Sequence, residues 1–514
     1  MIYVDKTAII AKIASQRTPI FFSRPRRFGK TLLITTMKSL FSKGLEDFHG
    51  LAIESMWSDT IYNVVHLDFS GLAEKNPDEF NFALGETILQ EFHMDGTVSL
   101  FNGGRIRSCD RVLNEIAKKL EDNSTVLLID EYDAPLTHHI NEKNVLSDLI
   151  KILSDFYATI KQYTDKFRYI FITGITRTSH VSIFSSFNNL KDISFRSEYN
   201  ALLGFTKEDL KQYFSCYVKN AASILEIPED EVYARVEQYY DGYQFSLDAH
   251  ETIYNPWSIL SFFDSPELGF CNYWFESGGM SSLIVNYIKT TETFNLLNYN
   301  DRNIYIDTKR LENKYEISNI PIEILLYQAG YFTIRKETNK IARLVFPNTE
   351  VEDSILDLYL YVNNIESTIE TQHQLDDLAN NIDEKNLDAI VDTFNAILNE
   401  CVSIQGKIFD DERSVRDIIY AALPQNRFLQ KFKECETVKG RSDLELFTTK
   451  THMVIEFKRT YPNRDASVSL YEAIEQIKSR KYGISAFKNY SLYRVVMVII
   501  TEDKMIDKNF CKEI

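Results

Sequence analysis

The stretch Arg24-Pro25-Arg26-Arg27-Phe28-Gly29-Lys30-Thr31 follows the apolar run Pro19-Ile20-Phe21-Phe22 and precedes a helix-like segment, Leu32 to Leu40. A strand, a tight turn carrying Gly-Lys-Thr and then a helix form the arrangement that cradles nucleotide phosphates. Backbone N–H groups at the helix N-terminus face the anion, the lysine reaches the outer phosphates, and the hydroxyl holds Mg²⁺. Arg27, Phe28, Gly29, Lys30 and Thr31 are thus expected to bind ATP or GTP, with Thr31 also a metal ligand. The full pattern wants a glycine five residues before Gly29, where this chain has Arg24. A basic turn before an ordinary helix is the competing reading.

About a hundred residues on, Ser124 to Ile129 is a short apolar run rich in β-branched residues that ends in Asp130-Glu131-Tyr132-Asp133. It reads as a buried parallel strand with carboxylates at its C-terminal end. Asp130 is expected to hold the Mg²⁺ that Thr31 touches, and Glu131 to polarise the attacking water. Val64 to Phe69 and Phe167 to Ile172 extend the same sheet. Thr173 ends the latter strand, where its hydroxyl could sense the γ-phosphate or satisfy its own backbone. Arg177 and Arg196 are candidates for an arginine contact to nucleotide, against the ordinary fate of a solvated surface arginine.

The wording of the chain adds to its spacing. Tyr3-Val4-Asp5-Lys6-Thr7, the Arg-Pro-Arg-Arg-Phe-Gly-Lys-Thr segment, Leu128 to Asp133, Thr173-Gly174, Ser185 to Leu190, Gly204-Phe205-Thr206, Tyr240 to Tyr243, Tyr254 to Ser258, Gly330 to Ile334 and Pro347-Asn348 together cover nearly the whole chain. In these stretches it resembles the AAA-ATPase-like family, in which a P-loop module is joined to a C-terminal PD-(D/E)XK nuclease domain. The resemblance implies that an arginine in place of the first P-loop glycine is usual, and that a lid and winged-helix-like part follows the core.

The C-terminal quarter can be read by itself. Leu444 to Thr448 and Met453 to Phe457 are strand candidates separated by Thr449-Lys450-Thr451-His452, a hairpin. A turn centred between Thr449 and Lys450 sets Thr448 opposite Thr451 and Asp443 opposite Glu456, with paired residues about 5 Å apart on one face. Lys458, two residues beyond Glu456, shares that face. Two carboxylates and a lysine on one spot are costly unless a cation and a phosphate belong there. Asp443 and Glu456 are therefore expected to ligate Mg²⁺ and Lys458 to position water or steady developing charge. The alternative is a surface hairpin with an ordinary cross-strand salt bridge. The resemblance further implies that Glu412, opening the helix-like Arg413 to Leu423, and Gln476, in the helix-like Ser469 to Tyr482, complete the catalytic set.

The 514 residues exceed what one core serves, and 44% hydrophobic with 13% aromatic residues are ample for several. Six cysteines, at 109, 216, 271, 401, 435 and 511, show no metal spacing, which predicts free, mostly buried thiols in a reducing compartment. Lysine plus arginine at 57 against 74 acidic residues gives a net charge of −17, arguing against non-specific nucleic-acid coating but not against a local basic groove. Lys431, Lys433, Lys439, Arg441, Arg459, Arg464, Lys478, Arg480 and Lys481 are candidates for that groove, or solvated faces. No apolar run reaches membrane-spanning length and no signal peptide is evident, so a cytoplasmic protein is expected.

The expected fold is α/β: a P-loop parallel-sheet ATPase core at 1–203, a central helical and winged-helix-like module at 204–365, and linker helices with an α/β restriction-endonuclease-like domain at 366–514. Residues 406 and 410–411 are expected to form the loop approaching the last domain. The expected function is an ATP-hydrolysing protein coupled to a Mg²⁺-dependent nuclease acting on DNA. The alternative is a nucleotide-dependent switch or scaffold whose nuclease-like domain binds nucleic acid or protein without cutting. A homo-oligomer is compatible with ATPases of this kind, which often act as rings or dimers.

Overall fold

In the computed structural model the described residues are 2–94, 101–102, 105–106, 108–177, 183–184, 187, 189–274, 282–289, 304–362, 368–401, 412–423, 430–433, 436–437, 440–460, 465–480 and 490–514. Residues 185, 186, 188, 406, 410, 411, Cys435, Lys439, Arg464, Lys481 and Tyr482 from the expectations above lie outside them. The chain divides into two compact units, residues 1–264 with 272–294 and 301–352, and residues 353–514 with 265–271 and 295–300.

The apolar run before the Gly-Lys-Thr turn becomes β1 (Ile20–Ser23), buried at every position as a strand covered on both faces must be. The helix that follows, α1 (Lys30–Lys43), leads to β2 (Asn63–Asp68), β3 (Thr125–Asp130), β4 (Phe167–Gly174) and β5 (Lys191–Asp192). They form an all-parallel sheet in the order β2-β3-β4-β1-β5. Helix α1 packs on β2 and β3. Because all strands run one way, β1, β3 and β4 end on one edge, the edge where open α/β sheets bind ligands. The loops are tied together there, with Arg24 N donating to Gly174 O (3.2 Å) and Tyr132 N to Thr173 O (3.0 Å).

Beyond the sheet the same unit is largely helical. The segment from Lys207 to Tyr240 is three helices, Lys207–Tyr213, Ser215–Leu225 and Glu229–Tyr240, and Pro228 sits at the N-cap of the third because its fixed φ suits a helix start. Helix α2 (Pro256–Asp264) follows. A helix at Ile322–Ala329 then runs into the Thr333–Lys336 and Ile341–Val345 hairpin, which pairs with Ile304–Asp307 in a three-stranded antiparallel sheet.

The second unit holds α3 (Glu412–Ala422) and a mixed sheet of β6 (Gln430–Lys433), β7 (Leu444–Phe447), β8 (Thr451–Arg459), β9 (Ser491–Ile500) and β10 (Met505–Glu513), ordered as numbered. Only β8 and β9 are parallel, so they need a crossover, supplied by α4 (Ala466–Arg480). Ala473 and Ile477 of α4 pack against Val454, Val496 and Val498, which presses the helix onto both strands. The β7–β8 register runs from Leu444 opposite Ile455 to Phe447 opposite His452. One step further sets Asp443 level with Glu456, as the turn position predicts. The acidic helices Ile369–Asp383 and Leu387–Glu400 are more than linkers: Asn395 exchanges two 2.8 Å hydrogen bonds with the backbone of Ile506 on β10.

The expected burial of thiols is corrected in part. The five described cysteines form no disulfide with one another, but only Cys109 and Cys401 are buried and Cys216 is exposed. Among the described residues no helix is long and apolar enough to cross a membrane.

Candidate functional sites

A cavity of about 710 Å³ opens at the sheet edge, lined among others by Arg27, Gly29, Lys30, Thr31, Glu131 and Trp257. The turn reaches it with left-handed backbone at Arg27 (φ 68°) and at Gly29 (φ 90°), the residue that caps α1. Phe28 also lines the cavity, and its buried ring packs edge-on against Tyr243 (4.8 Å) and Phe245 (5.2 Å). Lys30 is buried and donates to the carbonyls of Arg24 (3.0 Å) and Pro25 (2.9 Å), so the loop itself preorganises the ammonium. Burial lowers its pKa, opposed by the charges of Glu131 and Asp130.

Thr31 Oγ1 donates to Asp130 Oδ2 (2.8 Å), and the buried hydroxyl of Thr173 donates to Asp130 Oδ1. The structure thus joins Thr31, Asp130 and Thr173 through one carboxylate. Glu131 follows with φ 49°, its N–H held by Asp130 Oδ1 (3.0 Å), and burial raises its pKa against the pull of Lys30. A left-handed, non-glycine residue at a sheet edge is the kind of strain that accumulates at working sites. A hydroxyl and a carboxylate set side by side suit Mg²⁺, which takes few protein oxygens and completes its shell with water and phosphate.

In the second unit the structure brings all five expected residues together. Asp443 Oδ2 accepts from Phe457 N (2.8 Å), which fixes it against β8. Lys458 Nζ lies 3.3 Å from Glu456 Oε1 and 3.9 Å from Glu412 Oε2, and Glu412 Oε1 accepts from Arg459 N (2.8 Å). Gln476 Nε2 donates to Glu456 Oε1 from α4. Burial, reinforced by the charge of Asp443, pushes the Glu456 carboxyl up to about 8. Burial likewise raises Asp443, against the Phe457 N–H. For Lys458 burial acts downward, but Glu456, Glu412 and Asp443 outweigh it and the pKa rises.

Glu456 is 1% exposed, and its Oε2 has no hydrogen-bond partner among the described residues. Leaving a buried carboxylate oxygen unpaired is expensive, so the site fits a cation. Among the described residues no cluster of three or more His, Cys, Asp or Glu side chains could hold an ion. Two carboxylates, Asp443 and Glu456, are within the number that Mg²⁺ takes from protein.

The comparisons agree with this geometry. Residues 1–184 match the AAA-ATPase-like family model, described as a predicted AAA-ATPase, and residues 410–509 match the PD-(D/E)XK nuclease superfamily. A protein of Azotobacter chroococcum mcd 1, described as "Uncharacterized protein in vnfD 5'region", is 30% identical over 383 residues, covering 73% of this chain and 70% of its own length. This chain belongs to the AAA-ATPase-like family. The two matches relate residues 1–184 to ATPases and residues 410–509 to nucleases at the level of family.

Other features of the AAA-ATPase-like chain escape sequence reasoning. Arg24 does not line the cavity: its buried guanidinium lies between the rings of Phe22 (4.3 Å) and Phe245 (4.2 Å) and donates to the carbonyls of Ser23, Ser194 and Tyr199. It anchors the loop to chain 170 residues away. Asp133 accepts from Thr176 N (2.6 Å) and Ile175 N (3.1 Å), clamping the end of β4 to the turn after β3. Arg177 is held by Asp192 (2.8 Å) and Leu311 O (2.9 Å) and does not line the cavity, while Arg196 pairs at 3.6 Å with Glu198.

Two members of the expected basic groove are corrected. Lys431 is buried and donates to Tyr420 O (2.7 Å) and Leu423 O (2.8 Å), and Lys433 stands 3.9 Å from Asp353 with its side chain almost covered. Both face inward because their ammonium groups satisfy helix carbonyls and a buried acid. Lys478 and Arg480 are exposed on α4, and the charge of Arg480 acts on Glu456.

Proposed function

We propose that the N-terminal unit binds and hydrolyses ATP with Mg²⁺, and that the C-terminal unit is a Mg²⁺-dependent phosphodiesterase acting on DNA. In the ATP site, Lys30 and the N–H groups opening α1 grip the phosphates, with the backbone of Arg27, Phe28 and Gly29 shaping the turn. Thr31 and Asp130 hold the metal, Thr173 fixes the Asp130 carboxylate, and Glu131 orients the attacking water. Adenine is favoured over guanine because Glu131, whose charge acts on Lys30, is the one carboxylate among the described lining residues, and a carboxylate is the usual partner for two adjacent base donors.

In the nuclease site, Asp443 and Glu456 are the metal ligands, Phe457 N–H and Gln476 hold those carboxylates in place, and Glu412 steadies Lys458. Lys458 positions the attacking water or balances charge on the phosphate. When bound, Mg²⁺ would polarise the phosphate and acidify water. Lys478 and Arg480 offer cationic contacts to a DNA backbone. Nucleotide state sets when this domain acts, and 1–203, 204–365 and 366–514 are the working domains of a protein read as cytoplasmic.

The unpartnered, buried Glu456 Oε2, on the residue level with Asp443, carries this reading. Calorimetric titration of Mn²⁺ into the nucleotide-free chain tests it. One site is expected in the parent and in Lys30→Ala, and its loss in Glu456→Gln and Asp443→Asn. Heat unaffected by those two substitutions would remove the metal from this site.

A further inference from the structure

The cavity beside the P-loop is larger than a triphosphate requires, and much of its wall is apolar: Ile2, Val4, Leu202, Phe214, Trp257 and Leu260 share it with Lys30 and Thr31. Its volume falls in the range of small-molecule sites, in which apolar walls enclose the ligand body and a few polar groups orient it. A ligand gripped at its phosphates must then present a flat, weakly polar part to that wall.

Trp257 is built to meet such a group. It lies on the first turn of α2, where its N–H donates to Asn255 Oδ1 (2.9 Å), and Asn255 is itself fully buried with its N–H on Tyr240 O (3.1 Å). The guanidinium of Arg27 sits 4.4 Å over the indole, a stack that holds a planar cation and a ring in register. Yet Trp257 remains 39% exposed, unusual for the largest apolar side chain when one face is already covered. Arg27 comes from the P-loop and Trp257 from a segment 230 residues later, so the stack joins phosphate grip and apolar wall in one structure.

We propose that Trp257 stacks on the base of a purine nucleoside triphosphate held by the P-loop, with Arg27 fixing the indole. This rests on the reading of the N-terminal unit as an ATP site. Aromatic stacking is sequence-tolerant but strong, and alanine substitution of a stacking ring costs about tenfold to a hundredfold in affinity.

The chain carries its own probe. Of its three tryptophans, Trp57 and Trp274 are buried (7% and 0% exposed), leaving Trp257 to report. ATP titrated into the full chain should quench tryptophan emission, while inorganic tripolyphosphate should compete for the site without quenching. Trp257→Ala should weaken ATP about tenfold to a hundredfold and leave tripolyphosphate affinity unchanged, and Trp257→Phe should recover most of the loss. ATP affinity unchanged in Trp257→Ala but abolished in Lys30→Ala overturns the stacking role and keeps the P-loop. Equal loss of tripolyphosphate and ATP in Trp257→Ala also overturns it, because the residue then supports the loop rather than the base. A parent chain that binds neither ligand removes the ATP site and the proposal together.

Discussion

Burial and a neighbouring acid both oppose ionisation of Glu456. Burial and the neighbouring Asp443 raise its carboxyl from the ordinary 4.5 to about 8. The unfolded chain ionises the same group near 4.5, so within that window the folded state binds more protons and stability falls as pH rises. The Glu456 contribution is thus fully present below pH 4.5 and gone above about pH 8. In chelator, the parent should lose thermal stability between about pH 6 and pH 8, Glu456→Gln should flatten that slope, and Mg²⁺ should restore the parent at the alkaline end by replacing the proton. A slope of equal size in Glu456→Gln would show that other groups carry it. Glu-x-Lys was legible as a candidate at this scale. The unpartnered Oε2 was not, because it depends on the sheet that closes over the residue.

At the scale of elements, Gly174 shows how tightly two turns are joined. A Cβ there would fall 2.5 Å from ring carbons of Tyr132 and 2.6 Å from Asp133 Oδ1, the carboxylate that clamps Ile175 and Thr176. Gly174→Ala must prise the turn after β3 from the end of β4, at about 1–3 kcal/mol by the usual cost of overpacking. Denaturant unfolding should register that loss, and ATP turnover should fall further because Asp130 and Glu131 stand on the same turn. Unfolding identical to the parent would refute the clash. The elements themselves were readable where period and turn act locally: the position of the β7–β8 turn alone set Asp443 against Glu456. They were unreadable where a partner is distant in sequence. Nothing near Arg24 announces Ser194 and Tyr199, and nothing near Trp257 announces Arg27. The inward turn of Lys431 and Lys433 likewise follows from Tyr420, Leu423 and Asp353, which a charge pattern does not reveal.

At the scale of the molecule, the chain pairs an AAA-ATPase-like region with a domain of the PD-(D/E)XK nuclease superfamily on an acidic background of net charge −17. On the DNA reading proposed above, such a background repels DNA at long range and leaves recognition to short-range contacts around Asp443 and Glu456, so cleavage is expected to depend on salt. The order of motifs was legible because each is a local strand-and-turn pattern. The two-unit division was less so, because the acidic helices at 369–400 read as linkers until their packing on β10 is seen. The most direct test of the account is cleavage of linear, circular and branched DNA with Mg²⁺, with and without ATP, by the parent, Lys458→Ala and Lys30→Ala. The account predicts cleavage by the parent, none by Lys458→Ala, and loss of the ATP response in Lys30→Ala. DNA left intact by a parent that still hydrolyses ATP, or cut equally by Lys458→Ala, would contradict it.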